Sequence, residues 1–199
     1  MSPLAHFIGS WLVASATTEN PRDRKLITLA GVAPDLDGLG LAVDLARSIA
    51  SDQPNNYQFY QHYHHLLCHG WPGALVICGL LAYFARKRSR AFLLCLVTFH
   101  LHLLCDLLGS RGPSLGDLWP ILYGEPLFRH PMWFWKSQWR LDGWQNQIIF
   151  VLLFAMSLWR AVRAGHSFVE VFSQKGDAVF VSVLRKWSVA LRFSRRPPR

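Results

Sequence analysis

The sequence predicts an all-α protein, a multi-helix bundle embedded in a membrane. Of its 199 residues, 51% are hydrophobic and only 17% are charged, which is too apolar for an ordinary soluble domain of this size. Residues 66–85 and 143–159 carry no formal charge, and the first run has about the length needed to cross a bilayer. Residues 91–108 are rich in Leu, Phe and Cys and contain no Gly or Pro, which predicts another long helix.

The first quarter of the chain predicts shorter elements. Residues 3–16 predict an apolar helix, which we expect to be retained rather than cleaved as a signal peptide because no Lys or Arg precedes it. A polar turn is predicted over residues 17–25, an apolar segment over 26–32 and a helix over 40–50. The first two apolar segments are too short to span about 30 Å of hydrocarbon. We therefore predict that they are re-entrant or peripheral.

A long loop and a basic tail follow the central helices. Residues 109–139 are rich in aromatic residues, Gly and Pro, and such rings suit the membrane–water interface. Residues 178–193 predict a basic amphipathic helix that lies on an anionic lipid surface, with an ordinary packed helix as the alternative. The chain therefore divides into a helical membrane domain, residues 1–165, and a basic amphipathic tail, residues 166–199. Membrane lipid is the expected partner, and no specific nucleic-acid binding is expected.

The basic clusters and the histidines fall at opposite ends of the predicted helices. Basic residues follow the first helix at 22–25, follow the uncharged run at 86–90, and end the last apolar run at Arg160 and Arg163. By the positive-inside rule, this basic end is predicted to be cytoplasmic. The histidines and aspartates are then predicted at the other end of a multi-pass bundle.

The residues that can carry chemistry concentrate near residues 99–120. On a helix, His102 and Asp106 are four apart and share a face, whereas His100 points to the opposite side. A buried carboxylate is costly unless it is paired or bound to a metal. Asp106 therefore indicates either a buried His–Asp hydrogen bond that stabilises the core, or a metal ion that both side chains bind.

Further imidazoles and carboxylates extend this pair into a candidate ligand set. Together they suit zinc, and also iron or manganese, and their number exceeds one tetrahedral site. We therefore predict a divalent metal, with zinc as the favoured ion, and two or more ions. Helix phase leaves open whether His64 or His65 accompanies His69. The predicted ligands are His6, Asp35, Asp37, His64, His69, His102 and Asp106.

These residues, in this order, resemble the YdjM-like membrane-bound metal-dependent hydrolases. That family has an early His, a Pro-Asp-x-Asp segment, a His-rich segment, and a His-Leu-Leu-Leu-Asp segment followed by Gly and Trp-Pro. The corresponding residues here are His6, residues 34–37, residues 64–70, residues 102–106, Gly112, Trp119 and Pro120. The resemblance covers roughly residues 3–160 and implies a bacterial inner-membrane protein. It also implies an all-helical fold distantly similar to the zinc-dependent phospholipase C and P1-type nucleases.

The resemblance implies hydrolysis of a phosphoester by a metal-activated water, and a site in the membrane favours a lipid-borne substrate. The predicted catalytic residues are Asp37, His102 and Asp106. Arg111 is predicted either to contact a phosphate oxygen or to face solvent, and His65 and His100 to orient ligands. The alternative is a non-enzymatic membrane protein, either a metal or proton transporter or a bundle held by structural His–Asp pairs.

Overall fold

The computed structural model describes residues 1–51, 58–63, 68–128, 130 and 132–194, with the backbone alone at 61–63 and 189–194. It confirms the all-α class. The helices are α1 (Pro3–Thr17), α2 (Pro21–Ala30), α3 (Gly40–Ser51), α4 (Gln58–Tyr63), α5 (Trp71–Tyr83), α6 (Arg88–Gly109), α7 (Trp144–Ala164) and α8 (Gln174–Ser194). Two 3-10 helices, Ala33–Leu39 and Phe168–Val171, and a pair of two-residue strands, β1 (Ile121–Leu122) and β2 (Met132–Trp133), complete it.

Local capping makes α2 begin earlier than predicted. The Asn20 side chain accepts hydrogen bonds from the backbone amides of Arg22 and Asp23, and Pro21 occupies the first helical turn. The prediction of a polar turn over residues 17–25 is therefore wrong from Pro21 onward, and the basic residues there are helical. Asp23 is buried and accepts from the backbone amides of Arg86 and Lys87. This contact joins the start of α2 to the turn between α5 and α6.

Helix α5 is shorter than the uncharged run that contains it. Gly70 is the N-cap residue and Pro72 lies in the first turn, so the helix begins at Trp71 and has only 13 residues. At 1.5 Å per residue it extends about 20 Å, which is less than the hydrocarbon thickness. The prediction of a full span over residues 66–85 is therefore wrong, and His69 lies in the bend before the helix.

Helix α6 packs against both α2 and α5, which also contact each other. The core between these helices is built from buried residues, several of them small, that allow close approach, and it includes residues of α1 and β1. Its members are Ala14, Ile27, Ala30, Ala74, Cys78, Cys95, Phe99, Leu103 and Ile121. Within the described ranges, α6 and α7 are long and apolar enough to cross a membrane. A third span arises if α2 and the segment Ala33–Ser51, which meet at 51°, act together.

The long aromatic loop and the C-terminal amphipathic helix are confirmed as elements. The loop between α6 and α7 contains the antiparallel pair β1–β2, with Ile121 opposite Trp133. Helix α8 begins at Gln174, four residues before its predicted start, and packs on the second 3-10 helix and on α7. The segment before α8 is linked to α1 and α2 by the buried Glu170, which accepts hydrogen bonds from Trp11 and Arg24. The division of the chain at residue 165 stays a prediction.

Helix α7 ends at Ala164, and the capping residue that follows, Gly165, has a φ of 78° in the left-handed region. Substitution of Gly165 by Ala is expected to lower the free energy of unfolding by about 1 kcal/mol, because a Cβ disfavours this backbone conformation. Thermal unfolding of the detergent-solubilised protein measures the effect. The matched variant Gly165→Asn is expected to lose less, since Asn tolerates left-handed geometry. Equal losses for Ala and Asn would contradict the conformational explanation.

Candidate metal centre

Four separate parts of the chain bring candidate ligands to one end of the bundle. His6 lies in the second turn of α1, and the first 3-10 helix carries Asp35 and Asp37. The bend before α5 supplies His69, and the last turns of α6 supply the pair predicted by helix phase. All of these residues except Asp35 are buried. Of the seven predicted ligands, the six described ones therefore meet, while His64 lies outside the described residues.

Asp106 is the residue that the imidazoles share. Its Oδ1 is 3.2 Å from Nε2 of His6, and its Oδ2 is 3.0 Å from Nε2 of His102. The Nε2 atom of His69 lies 3.8 Å from the same Oδ2. Ser110 donates its hydroxyl to Oδ1 at 2.9 Å, and the α-amino group of Met1 donates to Oδ1 as well. One carboxylate thus lies between three histidines and a cationic amine.

The orientation of the His102 ring follows from its other contact. Its Nδ1 is 2.9 Å from the carbonyl oxygen of Gly31. Because a carbonyl only accepts, Nδ1 carries a proton and Nε2 is the nitrogen that faces the carboxylates. Nε2 is 3.0 Å from Asp106 Oδ2 and 3.8 Å from Asp35 Oδ1. One imidazole nitrogen and two carboxylate oxygens therefore converge, and a positive charge between them would offset the negative charge of the carboxylates.

Two polar atoms in this convergence lack a well-aligned hydrogen bond, although His102 Nε2 is 3.0 Å from Asp106 Oδ2. Within the described part of the chain, Asp35 Oδ2 and His102 Nε2 are the buried side-chain nitrogen and oxygen atoms without a hydrogen-bond partner. Leaving such atoms unsatisfied costs about 1–3 kcal/mol each, so native proteins rarely contain them. His6, His102 and Asp106 each offer a ligand atom within 4.8 Å of the others. The unsatisfied atoms lie beside a donor set that suits a divalent cation.

A second branch runs through His69. Its Nδ1 is 3.2 Å from Asp37 Oδ2, and the backbone amide of Cys68 donates to the same oxygen at 2.7 Å. Burial disfavours the imidazolium form of His69, but its contacts with Asp106 and Asp37 outweigh burial and raise its pKa. For His6, burial dominates and lowers the pKa, which favours the neutral imidazole that binds metals. The two histidines are therefore electrostatically different.

A comparison of the sequence with known protein families gives a match that fits the helical bundle and the order of the motifs at the site. The family model for the YdjM inner membrane protein matches residues 1–171. The chain belongs to the YdjM inner membrane protein family. No curated protein and no solved structure gives a significant match. The likeness to phospholipase C and P1-type nucleases therefore stays a prediction.

Family membership and the two long apolar helices show a membrane protein. In this YdjM-family chain, apolar side chains on the outer faces of the helices remain exposed, as lipid-facing residues are. Examples are Val97 on α6 and Val151 on α7, with 53% and 62% of their surface exposed. The number of crossings and the side on which the basic loops lie stay predictions.

A cavity of about 580 Å³ opens onto the centre. Asp35 and Asp106 contribute to its wall, beside Tyr60, Ser110 and Arg111. Burial first, and then the negative charges of Asp106 and Asp35, raise the pKa of Tyr60, which indicates that its phenol lies near both carboxylates. Apolar side chains complete the wall, among them Leu41, Leu118, Trp119 and Leu141. The cavity thus joins a charged end to an apolar surface.

The remaining predicted residues are placed as follows. Arg111 lines the cavity, with Nε donating to the Gln138 carbonyl at 2.9 Å and Nη1 to the Ser114 carbonyl at 2.7 Å. His100 is on the other face of α6 and hydrogen-bonds to the Leu96 carbonyl and the Tyr123 hydroxyl, both at 2.8 Å. Those contacts indicate a packing role for His100. His65 lies outside the described residues.

The side-chain amides of Gln138 and Asn146, which the sequence did not single out, hold the loop between α6 and α7 against the end of α6. Gln138 donates Nε2 to the Asp106 and Leu107 carbonyls, both at 3.0 Å, and accepts from the Trp119 amide. Asn146 donates to the Gly109 carbonyl at 2.7 Å. Both satisfy carbonyls at the C-terminal end of α6, which have no helical partner. Nothing in the local pattern distinguishes these amides from other loop residues, because their partners are distant in sequence.

Close approach at Gly31 sets the position of the carbonyl that fixes His102. A Cβ on Gly31 would lie 1.8 Å from Ser10 Oγ and 2.6 Å from Ser10 Cβ. Gly31→Ala is therefore expected to displace this carbonyl and, for a metal ion held by the cluster, to weaken binding by about 10-fold or more. Competition with a chromophoric chelator measures the affinity. Combining Gly31→Ala with Ser10→Gly removes the two shortest contacts and leaves Thr98 Cβ at 3.2 Å, so most of the binding is expected to return. No recovery in the double variant would contradict the steric explanation.

Proposed function

We propose that this protein is a membrane-bound metal-dependent hydrolase of phosphoesters. The observation that carries the proposal is the pair of unsatisfied buried atoms, His102 Nε2 and Asp35 Oδ2, beside the His6 and Asp106 ligand atoms. A structural His–Asp core would be expected to satisfy these atoms internally. A cation satisfies them together, which favours the metal interpretation over a purely structural pair.

The donor set suits zinc, since it combines imidazole nitrogens with carboxylate oxygens in a buried site. His6, His102 and Asp106, with Asp35, would hold one ion. Asp106 also faces His69, which contacts Asp37, so this branch would hold a second ion with Asp106 between the two. His64, which lies outside the described residues, stays a predicted ligand.

A bound divalent cation lowers the pKa of a coordinated water to about 7 and offsets charge at phosphorus. The protein supplies binding and orientation. In the described contacts of Arg111, Nε and Nη1 donate to backbone carbonyls, which fixes the guanidinium at the cavity wall. Its Nη2 would then bind a phosphate oxygen. Gln138 holds the end of α6 in place and so positions Asp106.

The shape of the cavity supports a lipid-borne substrate. Its charged end lies at Asp35 and Asp106, and its wall continues over leucine and tryptophan side chains. An amphiphilic phosphoester matches both parts, because its head would meet the cations and its chains would meet apolar surface. In this proposal the bundle crosses the inner membrane several times with its basic loops in the cytoplasm.

Metal analysis of the purified protein, combined with a screen of phosphomonoester and phosphodiester substrates, tests the proposal. About one or more zinc ions per chain and metal-dependent hydrolysis are expected, whereas metal below about 0.2 per chain would contradict it. The variant His102→Ala is expected to lose both properties. Arg140→Gln, at an exposed residue paired with Asp142, serves as the control. Metal flux in proteoliposomes without hydrolysis would favour a transporter instead.

A further inference from the structure

The end of the bundle opposite the metal centre contains a second cavity, of about 560 Å³. Its wall is formed by residues 15–21, between α1 and α2, together with Lys87, Arg90 and Arg160. Arg90 and Asp106 belong to the first and last turns of α6, about 24 Å apart at 1.5 Å per residue. The two cavities therefore lie at different levels of the molecule and share no lining residue.

The two guanidinium groups of this basic cavity are fixed by contacts with the end of α1. Arg160 donates Nε to the Ser15 hydroxyl at 3.0 Å and Nη2 to the Ser15 carbonyl at 2.6 Å. Arg90 donates Nη2 to the Thr17 carbonyl. Each guanidinium has five N–H donors, so these contacts orient the group and use only part of its hydrogen-bonding capacity. Both side chains are therefore positioned before any ligand arrives.

The charge of the basic cavity is not balanced by the protein. Lys87, Arg90 and Arg160 contribute three positive charges, and Glu19 is the acidic residue of the wall. In the ranges that the structure describes, neither arginine forms an ion pair with a carboxylate, unlike Arg24 and Arg140. A site with this excess of positive charge favours an anion with several oxygen acceptors.

Aromatic side chains indicate that the basic cavity lies at the membrane surface. Arg88 stacks over Tyr83 at 4.9 Å, and Arg163 stacks over Trp159 at 4.5 Å. Both rings are exposed, and they flank the beginning of α6 and the end of α7, the two helices long enough to span. Exposed Tyr and Trp at the ends of spanning helices occupy the headgroup level. The cavity is therefore at the depth of lipid phosphates.

We infer that this cavity binds the phosphate headgroup of an anionic phospholipid. The oriented arginines would contact the phosphate oxygens, and Lys87 would add a third positive charge at the rim. A zwitterionic lipid is disfavoured, because its ammonium group would face the same three cations. The site would fix the basic end of the bundle to one leaflet and is independent of the proposed hydrolysis at the other end.

Native mass spectrometry of the detergent-solubilised protein tests the inference, with phosphatidylglycerol, phosphatidylethanolamine and inorganic phosphate as separate probes. We expect one phosphatidylglycerol molecule to bind at least fivefold more tightly than phosphatidylethanolamine. Each cation removed is expected to weaken binding about fivefold. The test variant combines Arg90→Gln with Arg160→Gln and removes the two oriented arginines. The matched control, Arg88→Gln with Arg163→Gln, removes the same charge from the same helix ends outside the cavity, and binding is expected to stay within about twofold.

Equal binding of the two lipids, or equal losses in the two double variants, would overturn the inference. Inorganic phosphate that binds as tightly as phosphatidylglycerol would also overturn it, because the ligand would then be a free anion. Lys87→Gln keeps the test decisive if the arginine variant does not fold, since the Lys87 contact with Asp23 uses only the backbone amide. It is expected to lose about fivefold in phosphatidylglycerol affinity. Its metal content is expected to equal that of the wild-type protein.

Discussion

Under the proposed function, replacement of Asp106 by Asn is expected to lower metal affinity by at least about 100-fold and to abolish metal-dependent hydrolysis. The amide has nearly the shape of the carboxylate but no negative charge. Asp106 faces His6, His69 and His102 at 3.2, 3.8 and 3.0 Å, so its loss weakens both branches of the centre together. Metal content after purification and chelator competition measure the change.

A matched control separates the centre from a general effect of charge. Asp142→Asn removes a carboxylate that pairs with Arg140 on the exposed surface, and it is expected to leave metal content and hydrolysis unchanged. Circular dichroism is expected to show equal helix content for both variants. If Asp106→Asn bound metal as tightly as the wild-type protein, the metal would not be held by Asp106 and the proposed centre would be contradicted.

Replacement of Glu170 by Ala is expected to lower the free energy of unfolding by about 3–5 kcal/mol, because it leaves the buried Arg24 guanidinium without its counter-ion. Glu170 Oε1 accepts from Arg24 Nε at 2.7 Å and from Trp11 Nε1 at 3.1 Å. The side chains of both ion-pair partners are at most 6% exposed, so bulk water does not solvate the guanidinium that is left unpaired. Thermal unfolding in detergent measures the loss.

The double replacement Arg24→Met with Glu170→Leu tests the cause of that loss. With both charges absent, no unpaired ion is buried, so the double variant is expected to be more stable than Glu170→Ala alone. Asp142→Ala, at an exposed ion pair, is expected to unfold as the wild-type protein does. A double variant less stable than Glu170→Ala would indicate that the hydrogen bonds from Arg24 to the Thr18 and Glu19 carbonyls, which Glu170→Ala keeps, outweigh the cost of the unpaired charge.

Composition and periodicity predicted the elements whose formation depends on their own residues. The segments that became α1, α3, α6, α7 and α8 are recognisable by apolar content, length or an amphipathic stripe. The start of α2 and the shortness of α5 depend on caps at Asn20 and Gly70, which a composition window averages out. Element boundaries were therefore the weaker part of the prediction, although these capping residues stand in the sequence.

The residues of the candidate site likewise fall into those that the sequence predicted and those that it did not. Helix phase placed His102 with Asp106 and separated them from His100, and the structure has that arrangement. Tyr60 and Ser110 were not predicted, because a lone Tyr or Ser carries no spacing signal. Gln138 contacts Asp106 across 32 residues of chain, and a contact of that kind cannot be read from a local pattern.

The sequence by itself determined the all-α class, the apolar helices and the inventory of imidazoles and carboxylates, since these depend on composition and on the 3.6-residue period. Only the tertiary structure decided which groups surround His102 and Asp106. The Gly31 carbonyl fixes one proton of His102, Asp35 lies near its other nitrogen, and the His6 ring stacks on the His102 ring. Those contacts join residues about 70 to 100 positions apart, and they exist only because α1, the first 3-10 helix and α6 pack together.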